Sequence, residues 1–295
     1  MRALLLGGGG TLGAFSAGAL RALEERGWRP DVCIASSAGC INLLRSLVGG
    51  AKAAAEFWTG LSVSELAREA LTDNPFNGGV LSERAFYARV ERGVDFERLR
   101  ADPRLLAFLV VDMRTGRVAL RGNRTEDTAE SLRLVSRAAY ALPPLLPPVR
   151  VGDRLLSDGG LLQNAPLDRA AALGATEIVY LCNVQVVPHE HDDRPWTLPA
   201  TVRYAEIFVR RASNVGFADA EVTEGTWRGI PFLTVAPPAA PGLRTLVSAV
   251  LPTHKRLERL VALGYAEAQA AFGQWDRARA VDPPRLADGH VTAGV

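Results

Sequence analysis

Histidine is scarce in this chain, and cysteine scarcer. There are four histidines and three cysteines in 295 residues. Cys33, Cys40 and Cys182 have no metal-ligand spacing, and Cys33 and Cys40 fall inside apolar stretches. That pattern predicts buried free thiols rather than disulfides or zinc ligands, and fits a reducing compartment. His189 and His191 flank Glu190 in a polar stretch, which reads as a solvated loop before it reads as a metal site. No metal or cofactor is expected. An excess of charge is also missing: 34 basic residues face 32 acidic ones, a formal net charge of +2. Such balance gives no electrostatic ground for nucleic-acid binding. No apolar run is long enough to span a bilayer. The N-terminal Arg2-Ala3-Leu4-Leu5-Leu6 looks like the start of a signal peptide, but Gly7 to Gly10 interrupts it. The expectation is a cytoplasmic protein beginning near Met1.

What is present is a large apolar fraction, 48%, enough for one sizeable core. Residues 1–279 are expected to form a single domain, with 280–295 a disordered tail poor in large apolar residues. Short apolar runs at Ala3–Leu6 and Val32–Ala35 alternate with helical stretches at 14–25 and 38–48. Strand, helix, strand, helix predicts parallel strands covered by helices, an α/β fold of three layers with a mostly parallel central sheet. Further strands are predicted over 105–112, 117–121, 149–151, 154–157, 178–182 and 230–235. Helices are predicted over 51–58, 63–70, 82–93, 128–139, 166–173, 201–224 and 253–275. Leu142 to Pro148, L-P-P-L-L-P-P, cannot be helical. It reads either as a buried connector or as a wall of an acyl-binding cleft.

Three stretches carry chemistry. The first is Val32 to Asn42, V-C-I-A-S-S-A-G-C-I-N, an apolar strand turning at Ser37 into a helix. Such an elbow holds a hydroxyl outside the sheet above a helix N-terminus, where developing negative charge is favoured. Ala35 and Gly39, two residues before and two after, let strand and helix approach. A serine there can equally be a helix cap. The second is the glycine loop. Gly8, Gly10 and Gly13 satisfy G-x-G-x-x-G between a strand and a helix, a pattern that can cradle a dinucleotide. A nucleotide site also wants an acid at the C-terminal end of the second strand. Asp31 lies at the other end, and Ser36 and Ser37 occupy the required one. The same glycines can instead turn successive N–H groups toward one oxygen. If the first two strands are parallel neighbours, Gly8, Gly9 and Gly10 lie beside Ser37. The third is Asp158 before Gly159 and Gly160, a carboxylate on a tight turn after an apolar strand. A serine needs a base, and no histidine sits in a comparable setting.

With G-G-G-x-x-G, a serine elbow and a distant D-G-G in this order, the chain resembles the patatin-like phospholipases. The segments Gly18-Ala19-Leu20, Leu23-Glu24-Glu25-Arg26-Gly27 and Val111-Asp112-Met113-Arg114-Thr115-Gly116 are similar as well, as are Pro147-Pro148 and Asn164-Ala165-Pro166. The resemblance covers about residues 3 to 183. It implies a serine acyl hydrolase with Ser37 as nucleophile, Asp158 as its base and the N–H groups of Gly8, Gly9 and Gly10 as oxyanion hole. It also implies a lipid or acyl-ester substrate and at most transient contact with a membrane surface. Two positions depart from the family pattern: Ala35 stands where glycine is usual, and Leu12 where Arg or Lys is frequent. The same dyad also serves an acyltransferase or cyclising enzyme. A binding protein that has lost catalysis would keep the cleft alone.

Overall fold

The computed structural model describes residues 1–72, 80–184, 222–223, 225–238 and 253–281. Its strands are β1 (Arg2–Leu6), β2 (Val32–Ala35), β3 (Leu105–Asp112), β4 (Val118–Gly122), β5 (Val149–Val151), β6 (Arg154–Asp158), β7 (Glu177–Leu181), β8 (Val222–Thr223), β9 (Thr226–Trp227) and β10 (Ile230–Val235). Hydrogen-bonded pairing links them in one sheet as β5-β6-β3-β2-β1-β7-β10-β9-β8, with β4 along one edge of β3 and β2 and β6 end to end along the other. The five central strands, β3-β2-β1-β7-β10, are parallel; both margins are antiparallel. The helices are α1 (Gly13–Glu25), α2 (Ala38–Thr59), α3 (Val63–Thr72), α4 (Glu83–Glu91), α5 (Phe96–Arg100), α6 (Ala129–Ala138), α7 (Leu167–Ala172) and α8 (His254–Val281).

The central strands are apolar through their middles because both faces are covered, as parallel sheets require, with charged residues such as Arg2, Asp112 and Glu177 only at strand ends. Leu4 and Leu6 of β1 face one cluster with α1, α2 and α8, while Ala3 and Leu5 face another with Leu167 and Ala170 of α7. The path β1-α1-β2-α2 moves across the sheet in one direction, whereas α7 leads into β7 on the opposite side of β1. The two helices pack on opposite faces of the sheet. The layered, mostly parallel α/β fold read from the sequence is the fold observed.

Two element assignments change. Residues 201–224 read as helix, but Val222 and Thr223 pair with Trp227 and Thr226 in an antiparallel hairpin. Gly225, at φ 79°, makes the turn, and the β-branched side chains on either side favour extended backbone. The last helix runs on to Val281 rather than stopping at 275. At Gly49 and Gly50, where the glycine pair predicted a stop, the long α2 breaks: neither residue has helical torsions, and Gly50 has φ 68°. Glu24 Oε1 then accepts the Ala51 N–H at 2.7 Å and restarts the helix. The tail from 282, the histidine pair at 189 and 191, and the aromatic segments near Trp196 and Phe217 lie outside the described residues.

Candidate active site

Ser37 stands at the junction of β2 and α2 with φ 50° and ψ −125°, a conformation that L-residues with a side chain avoid. Neighbouring backbone holds it there. The Ser37 N–H donates to Ala139 O at 2.7 Å, the Ser36 N–H to Leu6 O at 3.1 Å, and the Gly39 N–H to Ser36 O at 2.9 Å. Gly39 is obligatory, since a Cβ at that position would sit 2.1 Å from Leu6 O. Ala35 is accommodated differently. It is an ordinary strand residue in register with Leu6 and Phe108, and its methyl group belongs to the apolar cluster on the α1 face. Ser37 occupies the capping position of α2, yet its side chain makes no capping hydrogen bond. Its hydroxyl lies near enough to the Asp158 carboxyl to favour the ionised form.

The register of β3 brings these two residues together. Ala107 and Phe108 pair with both β2 and β4, and Val110 and Val111 with both β4 and β6. A strand has two edges, so β4 takes one, while β2 and β6 share the other and run toward each other end on. Ala35 is opposite Phe108, and Asp158 is opposite Val110, two residues further. Ser37 is two residues past Ala35, at the same level. The segment after α6 fixes both ends: Ala139 O accepts the Ser37 N–H, and Ala141 O accepts the Asp158 N–H at 3.1 Å and the Ser157 hydroxyl at 2.6 Å. Gly159 and Gly160 keep the turn close. A Cβ on Gly159 would meet Leu109 O at 3.0 Å, and one on Gly160 would meet Ser36 Oγ at 2.9 Å.

Asp158 is buried, 4% exposed. Burial pushes its pKa up to about 7, against the lowering effects of the nearby Ser37 hydroxyl and of the Gly160 N–H, which donates to it at 2.8 Å. A carboxyl poised near neutrality beside a hydroxyl suits proton abstraction. The three thiols are free, buried and inert by comparison. Burial raises Cys33 to about 12, Cys182 to about 11 and Cys40 well above its ordinary value.

The glycine loop lies against Ser37: a Cβ on Gly8 would be 2.8 Å from Ser37 Cβ and 3.5 Å from its Oγ. Gly9 and Gly10 have φ 151° and 59°, the torsions that glycine tolerates best. Of the three N–H groups expected to face an oxyanion, Gly8 is already committed. It donates to Asn164 Oδ1 at 2.6 Å. The N–H groups of Gly9 and Gly10 have no partner among the described residues. Gly13 opens α1 against Trp58 and Ala38, where a Cβ would lie 2.5 Å from the indole. Leu12 is buried in the same apolar cluster.

Two buried asparagines support the loop, and neither was assigned a role from sequence. Asn183, just past β7, donates to Gly7 O at 2.7 Å and accepts the Ser16 N–H at 3.1 Å. Asn164 accepts both the Gly8 N–H and the Ser36 hydroxyl on one oxygen. Asn164 belongs to the N-A-P run noted in the sequence; Asn183 had no marker beyond its place at the end of an apolar strand.

The fold and site together define an α/β protein with a serine on a strained strand-to-helix elbow, beside a buried aspartate at the carboxyl edge of a parallel sheet. The family model for patatin-like phospholipase matches residues 4–171, more than half of the chain, and the chain belongs to that family. A patatin-like phospholipase domain-containing protein of Caenorhabditis elegans is 32% identical over 193 residues, 61% of this chain. The match spans only 13% of that much longer relative. Among solved structures, VipD from Legionella pneumophila aligns with a TM-score of 0.46 at 15% identity, covering 88% of this chain and 66% of VipD. The type III effector protein ExoU aligns with a TM-score of 0.43 at 15% identity, covering 93% of this chain and 53% of ExoU.

Proposed function

We propose that this protein is a lipid acyl hydrolase working through Ser37 and Asp158 and a covalent acyl-enzyme. The observation that carries the proposal is the strand register that sets Ser37 at the level of Asp158, a buried carboxyl whose pKa burial raises to about 7 against the lowering effect of the Ser37 hydroxyl. As Ser37 Oγ attacks the ester carbonyl, its proton passes to Asp158 and the carbonyl electrons move onto oxygen. The resulting oxyanion is held by the N–H groups of Gly9 and Gly10 in the turn that precedes α1. Collapse of the tetrahedral species expels the alcohol, which takes the proton from Asp158. Water then repeats the sequence on the acyl-enzyme, and Ser37 is regenerated.

An apolar acyl group fits the surroundings. Leu162, on the turn after Asp158, is 45% exposed, and the Leu142–Pro148 stretch runs beside exposed Val80, whose N–H donates to Pro144 O. Incubation with a fluorophosphonate followed by peptide mass mapping tests the proposal. Modification is expected at Ser37. A p-nitrophenyl ester series should show hydrolysis rising with chain length and abolished in Ser37→Ala. Modification elsewhere, or unchanged hydrolysis by that variant, would overturn the assignment.

A further inference from the structure

Asn164 is more than a support for the glycine loop. Its Oδ1 is fixed by two donors: the Gly8 N–H at 2.6 Å and the Ser36 hydroxyl at 3.1 Å. A backbone N–H can only donate, so the oxygen must point at Gly8, and the orientation of the carboxamide is set. The other end of the same group, Nδ2, carries two N–H donors. It has no hydrogen-bond partner among the described residues, although Asn164 is 3% exposed overall. Nor is Nδ2 among the polar atoms sealed from solvent without a partner. A buried amide is thus held by its acceptor half while its donor half stays open.

Its place is informative. Asn164 Oδ1 and Ser37 Oγ flank the same point beside Gly8, at 3.2 and 3.5 Å from where a Cβ would stand. Because Gly8 has given its N–H to Asn164, the loop has one fewer backbone donor for an oxyanion beside Ser37. The same contact delivers an amide with two free donors to that neighbourhood. We propose that Asn164 is a catalytic residue whose Nδ2 donates to the tetrahedral oxyanion, completing with Gly9 and Gly10 a hole that Gly8 helps to build without joining. The inference rests on the serine hydrolase reading given above.

Two substitutions separate donor from acceptor. Asn164→Ala removes both. Asn164→Asp keeps an oxygen for Gly8 and Ser36 but removes the Nδ2 donors. Both variants, assayed on the plateau of their own pH profiles, are expected to lose about 100- to 1,000-fold in kcat with little change in KM, the usual effect of one oxyanion donor. Full activity in Asn164→Asp beside a crippled Asn164→Ala would mean that only the acceptor matters, and would overturn the proposal.

A measurement on the wild-type protein stands even if both variants fail to fold. When a fluorophosphonate reacts, the bond from Ser37 Oγ to phosphorus forms, fluoride leaves, the proton goes to Asp158, and the phosphoryl oxygen takes the oxyanion's place. In ¹⁵N-labelled protein the Asn164 carboxamide protons are expected to move downfield on labelling. A Ser37 adduct that leaves those protons unmoved would refute the role of Asn164 alone. Absence of any Ser37 adduct would overturn the hydrolase reading and this inference together.

Discussion

Asp158 makes opposite demands on activity and stability over one pH range. Its folded pKa, about 7, lies above the usual carboxylate value of about 3.9. Below the usual value it is protonated in both folded and unfolded chains and has no differential effect. Between the two values only the unfolded chain releases the proton, so stability falls as pH rises toward 7. In its proposed role as base Asp158 needs the opposite charge state, so kcat/KM is expected to climb through about pH 7 and then level off. Asp158→Asn should be inactive yet show a thermal midpoint that gains on wild type between about pH 4 and pH 7. Equal pH slopes in the two proteins would refute the raised pKa. Ser37 holds strain of its own. Ser37→Gly is expected to exceed Ser37→Ala in unfolding free energy by about 1 kcal/mol, because glycine tolerates φ 50°. At this scale the sequence was informative where a residue type does a job by itself: Ser37 on its elbow, Gly39 against Leu6, Asp158 before two glycines. It was silent on Asn183 and on the donor half of Asn164, because their roles depend on partners brought in from distant parts of the chain.

Between elements, α1 and α8 cross where both lack a side chain. A Cβ on Gly18 would lie 1.9 Å from Val261 O, and one on Gly264 would lie 1.8 Å from Phe15 O. Gly264→Ala must therefore push the helices apart, and is expected to lower unfolding free energy by about 1–3 kcal/mol. Gly273, on the same helix, meets nothing nearer than the flexible Arg277 guanidinium at 3.6 Å. Gly273→Ala should be stabilising by about 0.5–1 kcal/mol, since alanine is the better helix former. Denaturant titration of the pair checks both signs. Periodicity and glycine punctuation located α1, α2 and α8 in the sequence, but not their contact. The meeting of β2 and β6 along one edge of β3 was equally hidden, because nothing within either strand encodes the register of its partner.

At the scale of the molecule, the family match stops inside α7, but the sheet does not. β7 lies between β1 and β10, and α8 covers α1. We propose that these parts fold as one unit with the rest, and a fragment ending at residue 171 is expected to show no cooperative thermal transition by circular dichroism. A sharp transition in that fragment would argue for a smaller autonomous domain. The order of α/β elements was legible because both-face burial leaves long apolar strands; the antiparallel margin at β8 and β9 was not, since two-residue strands leave no period to read. One last property follows from β3. Ser37 and Asp158 are indexed on the same edge of one strand, which serves as a ruler between them. The length of chain that separates them in sequence is thereby irrelevant to their distance. Residues inserted at the Arg114-Thr115-Gly116 turn, or new chain ends opened there, leave the spacing intact. A single residue inserted into β3 at Leu109 would add one strand step between the two groups and part Ser37 from Asp158.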